Sequence, residues 1–124
     1  MSVDLTGMGH VESVDNAAAT LTLSQTAHSG VVVNCTATTV LTLPAVTVAM
    51  RFTIRVGAPG ITVTISPNAS DLIAGAGTGA SGVGVDNKDI IFTNQPAGSY
   101  VVLEAQDATG YTIARSLGDF TVQA

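Results

Sequence analysis

The chain has no tryptophan, only three phenylalanines and two tyrosines, and a single cysteine in 124 residues. One cysteine excludes an intrachain disulfide, and nothing points to an oxidising compartment. In its setting, GVVVNCT, Cys35 reads as a small buried hydrophobe, since a reactive thiolate needs an electropositive neighbourhood that this stretch does not offer. Charge is equally scarce, at 10% of residues against roughly 25% in an average domain. Arg51, Arg55, Lys88 and Arg115 form no run and the net charge is −5, which argues against nucleic acid, because phosphate binding needs clustered cations that release counterions. No segment approaches the roughly 20 apolar residues that span a bilayer. The opening MSVDLTGMGHVESVD has neither the basic start nor the apolar core of a secretory leader. The expectation is a soluble protein made in a cytoplasm, with no membrane partner.

What is present is β-branched and neutral. Hydrophobic residues make up 46% of the chain, enough for one domain with a core. With so little charge, the surface falls to Thr, Ser, Asn, Gly and exposed aliphatics. Such a surface is poorly protected against association, which suits an oligomer or a coat component. From Leu41 to Gly75 the chain reads LTLPAVTVAMRFTIRVGAPGITVTISPNASDLIAG, alternating apolar and hydroxyl side chains at period two between turn residues, the signature of successive strands. Met50 to Val56 places Phe52, Ile54 and Val56 on one face and Arg51, Thr53 and Arg55 on the other. Gly57-Ala58-Pro59-Gly60 then reads as the loop of a hairpin to Ile61–Ile65. Further strands are expected at Thr20–Leu23, Val31–Val33, Thr39–Leu43 (stopped by Pro44), Asp89–Thr93, Ser99–Ala105, Tyr111–Arg115 and Phe120–Val122. Val14–Thr20 is allowed a single helical turn. Phe52, Ile54, Val63, Ile65 and Leu103 are expected in the core. The predicted fold is all-β, an antiparallel barrel or sandwich of β-tulip or jelly-roll type over residues 16–124, with residues 1–15 as an extended N-terminal arm.

Motifs that carry chemistry are few. Gly77-Thr78-Gly79-Ala80-Ser81-Gly82 spells GxGxxG but lacks the following helix of a dinucleotide site, so it reads as a glycine-rich loop. Asp86-Asn87-Lys88-Asp89 offers too few oxygens for calcium and reads as a solvated turn. His10 and His28 have no partners at metal-ligand spacing and read as surface or turn residues. Asp71, Glu104 and Asp107 are scattered among turns and a strand rather than converging on an acid–base set. No catalytic, cofactor or metal residue is expected, and the protein is not expected to be an enzyme. Asn34-Cys35-Thr36 and Asn68-Ala69-Ser70 match the glycosylation pattern but carry no weight without a leader; Asn68 is expected to support the turn begun by Pro67. Arg51 and Arg55 share a strand face about 13 Å apart at ~3.3 Å per residue. They either meet local acids or pair with an acidic partner surface.

TVLTLPAVTVAMRFTIRV, ITVTISPNASDLIAG, a Gly-rich loop and YVVLEAQDATGYTIA together resemble a β-module of tailed-bacteriophage virion proteins, found in capsid decoration (cement) proteins and in parts of tail and head fibres. The correspondence covers roughly residues 19 to 115 and rests on Leu43-Pro44, on Ile61 through Gly75 with Asp71 and Ile73, and on Gly110-Tyr111-Thr112-Ile113. Tyr111 stands where that pattern often has Trp, and is expected to keep the role of a large apolar plug. The resemblance implies a structural virion protein: a homotrimeric cement protein on the capsid surface, binding the major capsid protein and bridging capsomers. The alternative it leaves is a fibre or spike module that binds a host receptor. Few exposed aromatics are on offer for a sugar site, and a single module with a short arm suits decoration better. The arm residues Val3, Leu5 and Met8, with Arg51 and Arg55, are the expected partner-binding residues. Fifteen extended residues reach up to ~50 Å, far enough to cross to a neighbouring subunit.

Overall fold

The structure, a computed structural model, describes residues 12–46, 49–68, 71–74, 85–86, 89–107 and 110–122. The elements in chain order are β1 (Ser13–Asn16), β2 (Thr20–Thr22), a one-turn helix α1 (Gln25–His28), β3 (Val32–Cys35), β4 (Thr39–Thr42), β5 (Met50–Val56), β6 (Thr62–Ser66), β7 (Leu72–Ala74), β8 (Val85–Asp86), β9 (Ile90–Thr93), β10 (Tyr100–Asp107), β11 (Gly110–Leu117) and β12 (Thr121–Val122). The chain is all-β, as its β-branched alternation requires. Seven strands form sheet A in the order β1-β3-β5-β10-β11-β7-β8, and five form sheet B in the order β12-β9-β6-β4-β2. One cluster of buried side chains, including Phe52, Ile54, Val63, Ile65, Leu103 and Tyr111, takes residues from both sheets. The five residues expected in the core are all there, each at most 1% exposed.

The connectivity departs from the expected antiparallel plan. Strands β1 through β6 alternate between the sheets, so that β1, β3 and β5 lie side by side and parallel in sheet A, while β2, β4 and β6 do the same in sheet B. The chain therefore coils three times around the core, one strand per sheet per turn. Met50–Val56 and Ile61–Ile65 do not form a hairpin: β5 pairs with β3 and β10, and β6 with β4 and β9. The Gly/Pro link carries the chain across the core instead of back along the same sheet. A strand that crosses before pairing meets its predecessor in the same direction one turn later, which is why these pairings are parallel. Antiparallel pairing enters with β7 and β8; β9 and β10 then pair antiparallel with β6 and β5, and β11 and β12 extend the two sheets beyond them. Both sheets keep separate edges among the described residues, so the structure is sandwich-like rather than a closed barrel.

Two local expectations also change. Residues 14–16 form strand rather than helix, paired in register with Val33, Asn34 and Cys35. The backbone hydrogen bonds available on β3 outweigh the modest helix propensity of a short Ala-rich stretch. Ser13, Val14 and Asp15 thus belong to sheet A and not to an arm, and the Val32 N–H donates to Glu12 O at 2.9 Å. The single helical turn lies at Gln25–His28. Ser24 caps it, its Oγ accepting from Ala27 N–H at 3.2 Å while its own N–H donates to His28 Nδ1 at 3.0 Å. His28 is consequently buried rather than a surface residue.

Candidate interaction surfaces

The outer face of sheet A is set by register. Because Val33, Ile54 and Val101 point inward, their strand neighbours point out, and pairing aligns Asp15, Asn34, Arg55, Tyr100 and Leu117 in one row across five strands. Asn34 Nδ2 donates to Asp15 Oδ1 at 3.0 Å, and Arg55 Nη1 donates to Asn34 Oδ1 at 2.6 Å. An acid, an amide and a cation on successive parallel strands thus satisfy one another. Gly57 makes room for this ladder, since a Cβ there would sit 2.6 Å from Asn34 Oδ1. A second row holds Ser13, Val32, Thr53, Val102 and Arg115. In the next, Arg51 stands opposite Glu104 and pairs with it, Nε donating to Oε2 at 2.8 Å.

All three arginines of the chain therefore project from one sheet face, beside Tyr100, Val102 and the exposed Leu117. Of the expected partner-binding residues, Arg51 and Arg55 lie on this face, each with a partner inside the chain. Val3, Leu5 and Met8 lie outside the described residues, as do His10 and the glycine-rich loop from 75 to 84. Sequence reasoning missed Asn34, Tyr100, Arg115 and Leu117 as members of the same surface. Period-two counting assigns each to a face of its own strand, but only pairing brings the strands together.

Sheet B presents a different surface. Its outer rows are Thr20, Val40, Thr64, Ile91 and Thr121, then Thr22, Thr42 and Ser66, with Thr62 beside Thr93. None of these side chains is ionisable. Val40 is 40% exposed in the first row.

The β1/β2 end of the stack is open among the described residues. Val14, on the edge strand of the described sheet A, continues the inward column of Val33 and Ile54 yet is 38% exposed. Nearby, Asn16 is buried where the chain leaves sheet A for sheet B. Its amide donates to Thr39 Oγ1 at 3.1 Å and accepts from Ala18 N–H at 3.1 Å.

A depression of about 340 Å³ lies over Ser29, Ala49, Met50, Arg51, Glu104 and Ala105. Ser29 Oγ accepts the Arg51 N–H at 3.2 Å. Among the described residues no group of three or more His, Cys, Asp or Glu side chains is placed to hold a metal ion. Cys35 is fully buried and its thiol is pushed up to about 11, by burial against the opposing hydrogen bond to Asn16, so it is a packing residue and not a nucleophile.

The residues behind the phage-module resemblance meet inside the fold. Tyr111, fully buried, donates its hydroxyl to Pro44 O at 2.7 Å and tilts against Phe52 with ring centroids 6.0 Å apart. Burial first, and Asp71 second, hold its phenol well above the ordinary range. Asp71 Oδ2 in turn accepts the Val46 N–H at 3.2 Å. These contacts anchor the irregular segment after β4, a structural role. The Asn68 carbonyl accepts the Asp71 N–H at 2.7 Å. No family model, curated protein or solved structure matches this chain.

Proposed function

We propose that this chain is a structural virion protein, a capsid decoration protein that sits as a homotrimer on the outer surface of the major capsid protein lattice and stabilises the head. The observation that supports it is the outer face of sheet A, where every arginine of an acidic chain is gathered with Tyr100 and Leu117. Arginine and aromatic anchors are enriched in protein–protein contacts, and this face sets Arg51, Arg55 and Arg115 against the acids Asp15 and Glu104 among the described residues, a cationic balance on a chain of net charge −5 that favours an acidic partner. Many copies on a lattice turn modest single contacts into firm retention.

The test is co-sedimentation with capsid shells stripped of this protein. The wild-type chain is expected to pellet with shells and to be released by raised salt. Replacing Arg55 and Arg115 together by Glu should abolish pelleting while the circular-dichroism spectrum stays β-rich. Micrographs of virions bearing the chain should show regular surface knobs. Density confined to a tail or spike would replace decoration with the fibre reading.

A further inference from the structure

We infer that the partner face of sheet A is centred on the corner formed by Tyr100, Val102, Arg115 and Leu117, and that this corner holds a protein segment presenting a carboxylate beside an aliphatic side chain. The choice of occupant rests on the decoration role; the geometry of the corner does not. The three arginines of the face are not equivalent. Arg51 is paired with Glu104, and Arg55 donates to Asn34, which is itself bonded to Asp15. Arg115 is exposed and makes no hydrogen bond or ion pair with another described residue. Its planar fork of donors therefore stands open to a carboxylate from outside.

A separate observation is the irregularity that puts it there. Leu103 pairs with Ile113 but Val102 pairs with Arg115, so Ala114 is an extra residue in β11, a β-bulge. Strict alternation from Ile113, which packs against the core, would turn Ala114 and Ser116 outward and Arg115 and Leu117 inward. The bulge reverses this, setting Arg115 opposite the outward Val102 and Leu117 opposite the outward Tyr100. Leu117 is left 58% exposed, more than any other large apolar side chain among the described residues. A bulge that turns a leucine out together with an unpaired cation suits contact with another molecule, which then covers the leucine. Arg115 selects the carboxylate, and Leu117 with Val102 selects the aliphatic neighbour.

Two measurements test it. In co-sedimentation with stripped capsid shells, Arg115→Gln is expected to weaken binding ~10-fold or more and Leu117→Thr by less. Arg115→Lys should recover only part of the loss, since an ammonium keeps the charge without the fork. Val40→Thr, the comparable change on sheet B, should bind as the wild type does. Equal binding by Arg115→Gln and the wild type overturns the inference while leaving decoration standing. In the second measurement, NMR follows the arginine Nε–H and leucine methyl signals of the full chain as isovalerate, a carboxylate with an aliphatic tail, is added. The Arg115 and Leu117 signals are expected to shift together and saturably, and to stay still with the neutral isovaleramide. Shifts confined to other residues, or none, overturn the inference. A wild-type chain that leaves the shells unbound yet shows the saturable Arg115 shift keeps the site and loses the decoration role.

Discussion

Cys35 shows how a single buried group reports on the whole fold. Burial raises its thiol from 9.0 to about 11, so in the folded chain it keeps its proton where the unfolded chain begins to lose it. Its contribution to stability is fully present below pH 9 and is lost as pH rises toward 11, the loss amounting to about 2–3 kcal/mol at the top of that window. Tyr111, raised further, acts in the same direction at higher pH. Urea midpoints measured from pH 8 to 10.5 at constant ionic strength should fall more steeply for the wild type than for Cys35→Ala. Equal slopes would mean that the thiol is not sequestered. The residue's character was legible in its aliphatic setting; its hydrogen bond to Asn16 was not, because Asn16 reaches it only through the β1–β3 pairing.

At the scale of elements, the Asp15-Asn34-Arg55 ladder ties three parallel strands together on their outer face, and it depends on a glycine that it does not include. A Cβ at Gly57 would lie 2.6 Å from Asn34 Oδ1 and 2.7 Å from Nδ2, so Gly57→Ala must displace the amide that bridges β1 and β5. The expected cost is ~1–3 kcal/mol, the usual range for overpacking. In an Asn34→Ala background the same substitution should cost almost nothing, a coupling that a double-mutant cycle in urea measures directly. Additive costs would place the strain elsewhere. Seen from the sequence, Gly57 was half of a hairpin loop and Asn34 part of an idle glycosylation pattern. Strand identity was readable because alternation is local, whereas the neighbour of each strand was not: β5 and β6 present the same alternation whether they pair in one sheet or face each other across the core.

For the molecule as a whole, the two sheets give opposed surfaces, one carrying the three arginines with Tyr100 and Leu117 and one whose paired outer rows are Thr, Ser, Val and Ile. The described fold starts at Glu12, whose carbonyl accepts the first hydrogen bond of β1 with β3. Deleting residues 1–10 spares that bond and every core residue among those described. The melting temperature of the truncated chain should therefore stay close to that of the full chain, while its retention on capsid shells in a wash assay weakens through the loss of Val3, Leu5 and Met8. A truncated chain that melts much lower would make those residues part of the domain.

Composition and periodicity by themselves determined the all-β class, the inward set of Phe52, Ile54, Val63, Ile65 and Leu103, and the burial of Cys35. Each follows from what one residue or one strand prefers, independently of its neighbours in space. Tertiary structure alone decided the coiled, parallel course of β1 to β6, the burial of His28 against the Ser24 cap, the meeting of Tyr111 with Pro44, and the gathering of the three arginines on one sheet face. Apart from the local Ser24–His28 bond, those depend on pairing between residues distant in the chain, such as Ser13 with Val32 and Tyr111 with Pro44, where the gain from packing two apolar sheet faces together chooses among connections that local propensity leaves equal.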